Sequence, residues 1–176
     1  MDKQNAMKIL LEVKQVMGRR HWWIDCGTLL GAIRNNDFIE WDTDLDVGIL
    51  QEDWNDNLAK KLIKRGFELK HEFGFREAGY EISFKKYGVK IDFFLYYRLD
   101  DIRWFACWKN GFRNGESDII KLVYPAEMVE KRKFILFNGY ELPVPFNSED
   151  YLTIRYGNWL IEDRGFKLDK DPKNIV

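Results

Sequence analysis

Apolar residues recur near the start of the chain at Met7, Leu10, Leu11 and Met17, with Lys14 on the same stripe. That three- and four-residue spacing is one face of an α-helix, and Gly18 can supply its stop. "HWWIDC" is a short aromatic-apolar run bounded by Gly27, which predicts a buried strand. The period turns helical in "TLLGAIR", with Thr28 at a capping position. "NNDFIE" reads as a loop and "DLDVGIL" as the next strand. "EDWNDNLAKKLIKRG" predicts a second clear helix, because Trp54, Leu58 and Leu62 share a face and Gly66 ends it.

From Phe67 onward the pattern becomes that of β-structure. "YEISFKK" and "VKIDFFLYY" read as two strands around a tight turn at Tyr87-Gly88. "DIRWFACW" predicts another strand, "GFRNGESD" a loop, and "FILFNGYELPVPF" a hairpin turning at Asn138-Gly139. "NSEDYLTIRYG" starts with a cap-like Asn147-Ser148 and closes at Gly157, as a short helix does. No repeat, linker or low-complexity segment divides the chain, so residues 1–176 are expected to form one domain.

One strand breaks the apolar rule. Asp42, Asp44 and Asp46 stand at alternate positions immediately before a core run. Alternate residues of a strand share a face, so Asp44 and Asp46 point the same way while Leu45, Val47 and Ile49 enter the core. Adjacent carboxylates repel, and an unpaired buried one is costly, so a positive group is needed among them. Oxygen ligands at this spacing suit Mg²⁺ or Mn²⁺. Asp92 is the only acid in the apolar-aromatic "KIDFFLY" and needs a compensating charge. Either a metal shared with Asp44 and Asp46 or one of Lys85, Lys86 and Lys90 can provide it.

Upstream, Gly27 lets a backbone approach a phosphate closely, and Thr28 offers a hydroxyl and an N–H at a helix start. Arg34 is placed as a phosphate or carboxylate clamp, or as a surface arginine on a turn. Asp42 is a further metal ligand, or orients Arg34 or a water. Trp41, Tyr156 and Trp159 offer aromatic faces for a sugar or a quaternary ammonium, or pack in the core.

Composition narrows the class. The chain is 45% apolar and 16% aromatic, which excludes disorder and predicts aromatic pockets. Lys+Arg number 28 against 29 Asp+Glu, a balance that disfavours a nucleic-acid partner. No apolar stretch approaches the ~20 residues of a membrane span, and the N-terminus lacks a signal-peptide core. Cys26 and Cys107 are isolated from each other and read as buried free thiols of a reducing compartment, consistent with a cytoplasmic chain.

"WWIDCGTLLGAIRNNDFIEWDTDLDVGI" closely resembles the signature of the LicD and fukutin-type phosphotransferases. The matching positions are Trp23, Gly27 to Ala32, Arg34, Phe38 to Asp42, and the Asp44-Leu45-Asp46 strand. "VKIDFF" is similar to the family's third-carboxylate strand, and "FNGYELPVPFNSEDYLTIRYGNW" to its closing segment. Two positions depart from the pattern: Glu40 stands where proline is usual, and Thr43 where an acid is frequent.

The resemblance implies an α+β fold: a nucleotidyltransferase-like mixed β-sheet with helices packed on one side. It further implies transfer of a phospho-alcohol (phosphocholine, ribitol phosphate or glycerol phosphate) from a CDP-activated donor to a glycan or cell-surface polysaccharide precursor, with CMP leaving. Asp44, Asp46 and Asp92 would hold the metal, and Asp92 would take the acceptor's proton. Gly27, Thr28, Arg34 and Asp42 would face the phosphates, with Trp41 and Tyr156 in the substrate pocket. Two other readings compete: nucleotidyl transfer from an NTP, and a non-catalytic binding module. Clustered acids argue against the last.

Overall fold

The strand Asp44–Leu50 (β2) organises the molecule, because Leu45, Val47 and Ile49 on one of its faces are fully buried. A computed structural model describes residues 1–113 and 116–166. In chain order, helix α1 (Lys3–Met17) leads to β1 (Trp22–Ile24), α2 (Cys26–Asn35) and β2. A short 3₁₀ turn and α3 (Asp56–Lys64) precede three strands, β3 (Glu68–Phe75), β4 (Ala78–Lys86) and β5 (Val89–Leu99). The hairpin β6 (Ile102–Arg113) and β7 (Glu116–Pro125) follows, then α4 (Ala126–Glu130), the hairpin β8 (Arg132–Phe137) and β9 (Tyr140–Pro145), and α5 (Ser148–Tyr156).

The main sheet runs β1-β2-β5-β4-β3, and the far end of β5 also pairs with β6, which pairs with β7. It is a mixed sheet. β2 and β5 are parallel and the remaining pairings are antiparallel. A parallel pair needs a long crossover and burial on both faces. Here the crossover is the α3-β3-β4 segment. One face, carrying Phe84, Val47 and Phe93, is covered by the principal helix layer: Trp54 stacks at a tilt on Phe93, and Lys86 pairs with Glu12 of α1. On the opposite face lie Trp23, Asp46, Asp92 and Tyr96, and there Tyr96 meets Tyr151 of α5.

Both tight turns form as the sequence predicts. Tyr87-Gly88 and Asn138-Gly139 each place two consecutive residues at positive φ, the geometry that matches the twist of a hairpin. Three expectations need correction. The cap of α2 is Asp25, whose carboxylate accepts from the Cys26 N–H at 2.7 Å, and Thr28 lies inside the helix. The second predicted helix begins only at Asp56, because Asn55 caps it and the preceding residues form the 3₁₀ turn. "GFRNGESD" is not a long loop: Arg113 and Glu116 belong to β6 and β7, and Asn114 and Gly115 of that stretch lie outside the described residues.

The buried stripe of α1 consists of Ala6, Ile9, Leu10, Val13, Val16 and Met17, together with Met7. Leu11 and Lys14 sit at its margin, where the Lys14 ammonium donates to the Glu141 carbonyl at 2.6 Å.

Gly48 stands opposite Trp23 in the β1–β2 register, and any Cβ there would overlap the buried indole. Gly48→Ala should therefore cost about 1–3 kcal/mol by overpacking. A lower denaturant midpoint at unchanged slope is the expected reading.

Candidate active site

The β2–β5 register decides the geometry. Asp46 pairs with Asp92 and Asp44 with Lys90, all on the face opposite the helix layer. A cavity of about 330 Å³ is lined by Asp42, Asp44, Asp46, Glu81 and Asp92, with Gly27, Arg155 and Tyr156. The positive group demanded by the acids is at hand: the Lys90 ammonium lies 2.9 Å from Asp44 Oδ2 and 2.8 Å from Asp92 Oδ2. Burial opposes a charge on Lys90, but Asp92 and Asp44 outweigh it and hold the lysine protonated well above its ordinary range.

Each carboxylate has its own surroundings. Asp46 is fixed twice by α2: its Oδ2 accepts from the Gly27 N–H at 3.1 Å, and its own N–H donates to the Thr28 hydroxyl at 2.9 Å. Burial first, then Asp44 and Asp92, push its carboxyl well above the usual range. Asp42 accepts from the Thr43 N–H at 2.9 Å, and burial and then Asp44 push it up to about 6. Asp92 is buried, and among the described residues its Oδ1 has no hydrogen-bond partner. An orphaned buried carboxylate oxygen costs free energy unless a ligand satisfies it.

Gly27 packs against the Asp42 carboxylate, which would have to move to admit a Cβ there. Expected to cradle a phosphate, Gly27 and Thr28 direct their polar groups to Asp46 here, and Gly27 also lines the neighbouring cleft. That cleft, of about 610 Å³, adjoins the acids through Gly27, Asp42 and Tyr156 and is walled by Arg34, Trp41 and Trp159. Arg34 donates to Asn35 Oδ1 at 2.8 Å and, at 3.4 Å, to the Trp159 carbonyl, so it stands at the cleft rather than on the aspartates. Trp41 is 40% exposed, with the Arg164 guanidinium 4.3 Å from its ring centroid.

Two residues the sequence reading passed over belong here. Asp25, fully buried, accepts from the Tyr96 hydroxyl at 2.6 Å and the Tyr151 hydroxyl at 2.5 Å, which ties α2, β5 and α5 together beneath the site. Arg155 is only 4% exposed, lies over Phe105 and Tyr156, and donates to the Tyr124 hydroxyl at 3.3 Å. Its signal was its position four residues after Tyr151, on the buried face of α5.

A mixed sheet whose parallel central pair presents acids at one cavity defines the class: an α+β domain with an acid-lined cavity beside a larger cleft. Residues 19–147 match the family described as LicD/FKTN/FKRP, nucleotidyltransferase domain, and the chain belongs to that family. It is a nucleotidyltransferase-type domain of a transferase family. The ribitol-5-phosphate transferase FKTN of Mus musculus is 28% identical over 156 residues, covering 88% of this chain and 32% of that protein. The ribitol 5-phosphate transferase FKRP of Homo sapiens is 25% identical over 169 residues, covering 91% of this chain and 32% of its own length. The chain thus spans about a third of the length of the curated relatives it matches. A solved structure of a putative nucleotidyltransferase from Thermotoga maritima covers 84% of this chain and 81% of its own, with a TM-score of 0.48 and 14% identity. Among the described residues, no helix is long and apolar enough to cross a membrane.

The acids should carry a signature in the metal-free protein. A carboxyl whose pKa is raised on folding binds its proton more tightly folded than unfolded, so stability rises as pH falls through the interval between the two values. For Asp42 that interval runs from about 6 down to about 4, its unfolded value. Relative to Asp42→Asn, the wild type should gain melting temperature across it on acidification. Separately, Asp46→Asn should leave metal-free stability unchanged or higher, by relieving repulsion. A large loss of melting temperature in that variant would make Asp46 a structural residue.

Proposed function

We propose that this chain transfers a phospho-alcohol from a CDP-activated donor to a glycan hydroxyl, with CMP as the leaving group. The observation that carries the proposal is the alignment of Asp46 with Asp92 on adjacent parallel strands beside a cleft of about 610 Å³, within a family whose relatives include named ribitol-phosphate transferases.

The donor set fits Mg²⁺ or Mn²⁺. Asp44, Asp46 and Asp92 offer only oxygens, one of them buried and unsatisfied. Among the described residues the three are not drawn within 4.8 Å of one another, and the Lys90 ammonium stands between Asp44 and Asp92, so a metal would draw them together and displace the lysine. These three aspartates would hold the metal, which when bound supplies neutralisation of the diphosphate charge. The rest is the work of the chain. The cleft takes the donor, its aromatic walls Trp41 and Tyr156 offering faces to the nucleoside or the alcohol. Arg34, which lines the cleft, would bond the donor. The acceptor hydroxyl attacks the β-phosphorus, and in-line positioning and charge stabilisation supply most of the acceleration. Asp92, on the strand beside Asp46, would take the acceptor's proton, with Asp42 at the same cavity as the other candidate.

Incubating the protein with CDP-ribitol, CDP-glycerol or CDP-choline, Mg²⁺ and glycan acceptors should release CMP, read by mass spectrometry, and EDTA should stop it. Pyrophosphate from an NTP, with no CMP from any CDP-alcohol, would replace this reading with nucleotidyl transfer. Arg34→Ala should lower turnover roughly ten- to hundred-fold if its bond to the donor is charge-assisted, worth about 1.5–3 kcal/mol. Arg34→Lys should restore that only in part, because an ammonium cannot reproduce a bidentate contact.

A further inference from the structure

Four successive strands place His71, Ser83, Asp92 and Asp46 in one row on the active face, in the register β3-β4-β5-β2. Glu81, two residues before Ser83, shares that face. Ligand atoms of His71, Glu81 and Asp92 all lie within 4.8 Å of one another. Among the described residues this is the one trio of histidine, cysteine and acid groups drawn so close, and it lies on the β3 side of Asp92, away from Asp44.

Among the described residues, the protein's own groups satisfy this trio only in part. His71 Nε2 bonds Glu81 Oε1 at 3.2 Å, and Lys90 takes Asp92 Oδ2. Among the described residues, Asp92 Oδ1 and the hydroxyl of Ser83, next to each other in the row, have no partner. Asp92 is 5% exposed and Ser83 fully buried, so neither orphan is on the open surface. A histidine–glutamate ion pair explains one of these contacts and neither orphan. Charge points the same way: five carboxylates line the cavity, met by Lys90 and Arg155. The His71 ring is also held, stacked on Phe73 with centroids 4.2 Å apart.

We propose that His71, Glu81 and Asp92 form a second divalent-cation site, selective for a transition ion such as Mn²⁺ or Zn²⁺. One imidazole nitrogen with two carboxylates suits these ions, whereas an all-oxygen set suits Mg²⁺. The site rests on the function proposed above for Asp92 alone, and makes Asp92 a ligand shared with the Asp44–Asp46 centre. Across a sheet with strands about 4.8 Å apart, His71 stands about three strand spacings from Asp46, too far to serve the same ion.

The probe is Mn²⁺ itself, added to untagged, metal-free protein and read by electron spin-echo modulation from a coordinated ¹⁴N. The chain has two histidines, and the other, His21, already bonds the Val129 carbonyl at 2.8 Å through Nε2. Wild type should show nitrogen coupling, His71→Ala should lose it, and Asp46→Asn should keep it. Glu81→Gln, which preserves shape, should weaken Mn²⁺ binding at the nitrogen-coupled site at least ten-fold and guards against misfolding in His71→Ala. Coupling absent from wild type, retained in His71→Ala, or lost equally in Asp46→Asn would overturn the proposal. Nitrogen coupling in a protein that releases no CMP would leave this site standing while the function proposed above falls.

Discussion

The parallel pairing of β2 with β5 is the constraint on which the molecule depends. Parallel strands must be covered on both faces, and here one face is given to apolar packing and the other to the acids. A slip of one residue in either strand would send Asp46 or Asp92 into the layer of Val47 and Phe93 and bring those side chains to the cavity. The register is secured from several sides. The α2 amide and hydroxyl grip Asp46, Trp23 fills the space left at Gly48, and Asp25 gathers the hydroxyls of Tyr96 and Tyr151. Fold stability and site geometry are therefore one problem.

Electrostatics gives the site its character. Burial and the neighbouring acids push Asp46 and Asp42 toward protonation, while Asp92 and Asp44 hold Lys90 charged between them. The lysine offsets part of the cost of holding the acids so close. Holding Asp46 also explains why α2 has its unusual start: Cys26 adopts a positive φ so that the Gly27 amide can turn onto Asp46. The helix N-terminus, a ready anion site, is filled by the protein's own carboxylate.

The cleft beside the acids is of a different kind, lined by aromatic and mixed polar residues from α2, the Ile39–Asp42 turn and the segment after α5. Acids and cleft meet at Gly27, Asp42 and Tyr156. The acids form a charged centre, joined to a roomier pocket that has space for an organic group, as the transfer proposed above requires.

Much of this was legible in the chain. Period-two acids before an apolar run, a lone acid in an aromatic strand, and turns at Tyr87-Gly88 and Asn138-Gly139 are local patterns, and local sterics and charge determine them. The sequence could state that Asp92 needs a positive partner but not which one; Lys90 was one of several lysines until β5 took its place beside β2. Thr28 looked like a cap because a hydroxyl at a helix start is one, while the earlier Asp25 was hidden by its distant tyrosine partners. Arg155 and His71 gave weak signals, since each gains meaning only from strands and helices remote in sequence. Short-range pattern fixed which residues carry charge and which face they take. Long-range pairing decided which charges meet, because register across a sheet is set by the packing of the whole core and not by any one segment.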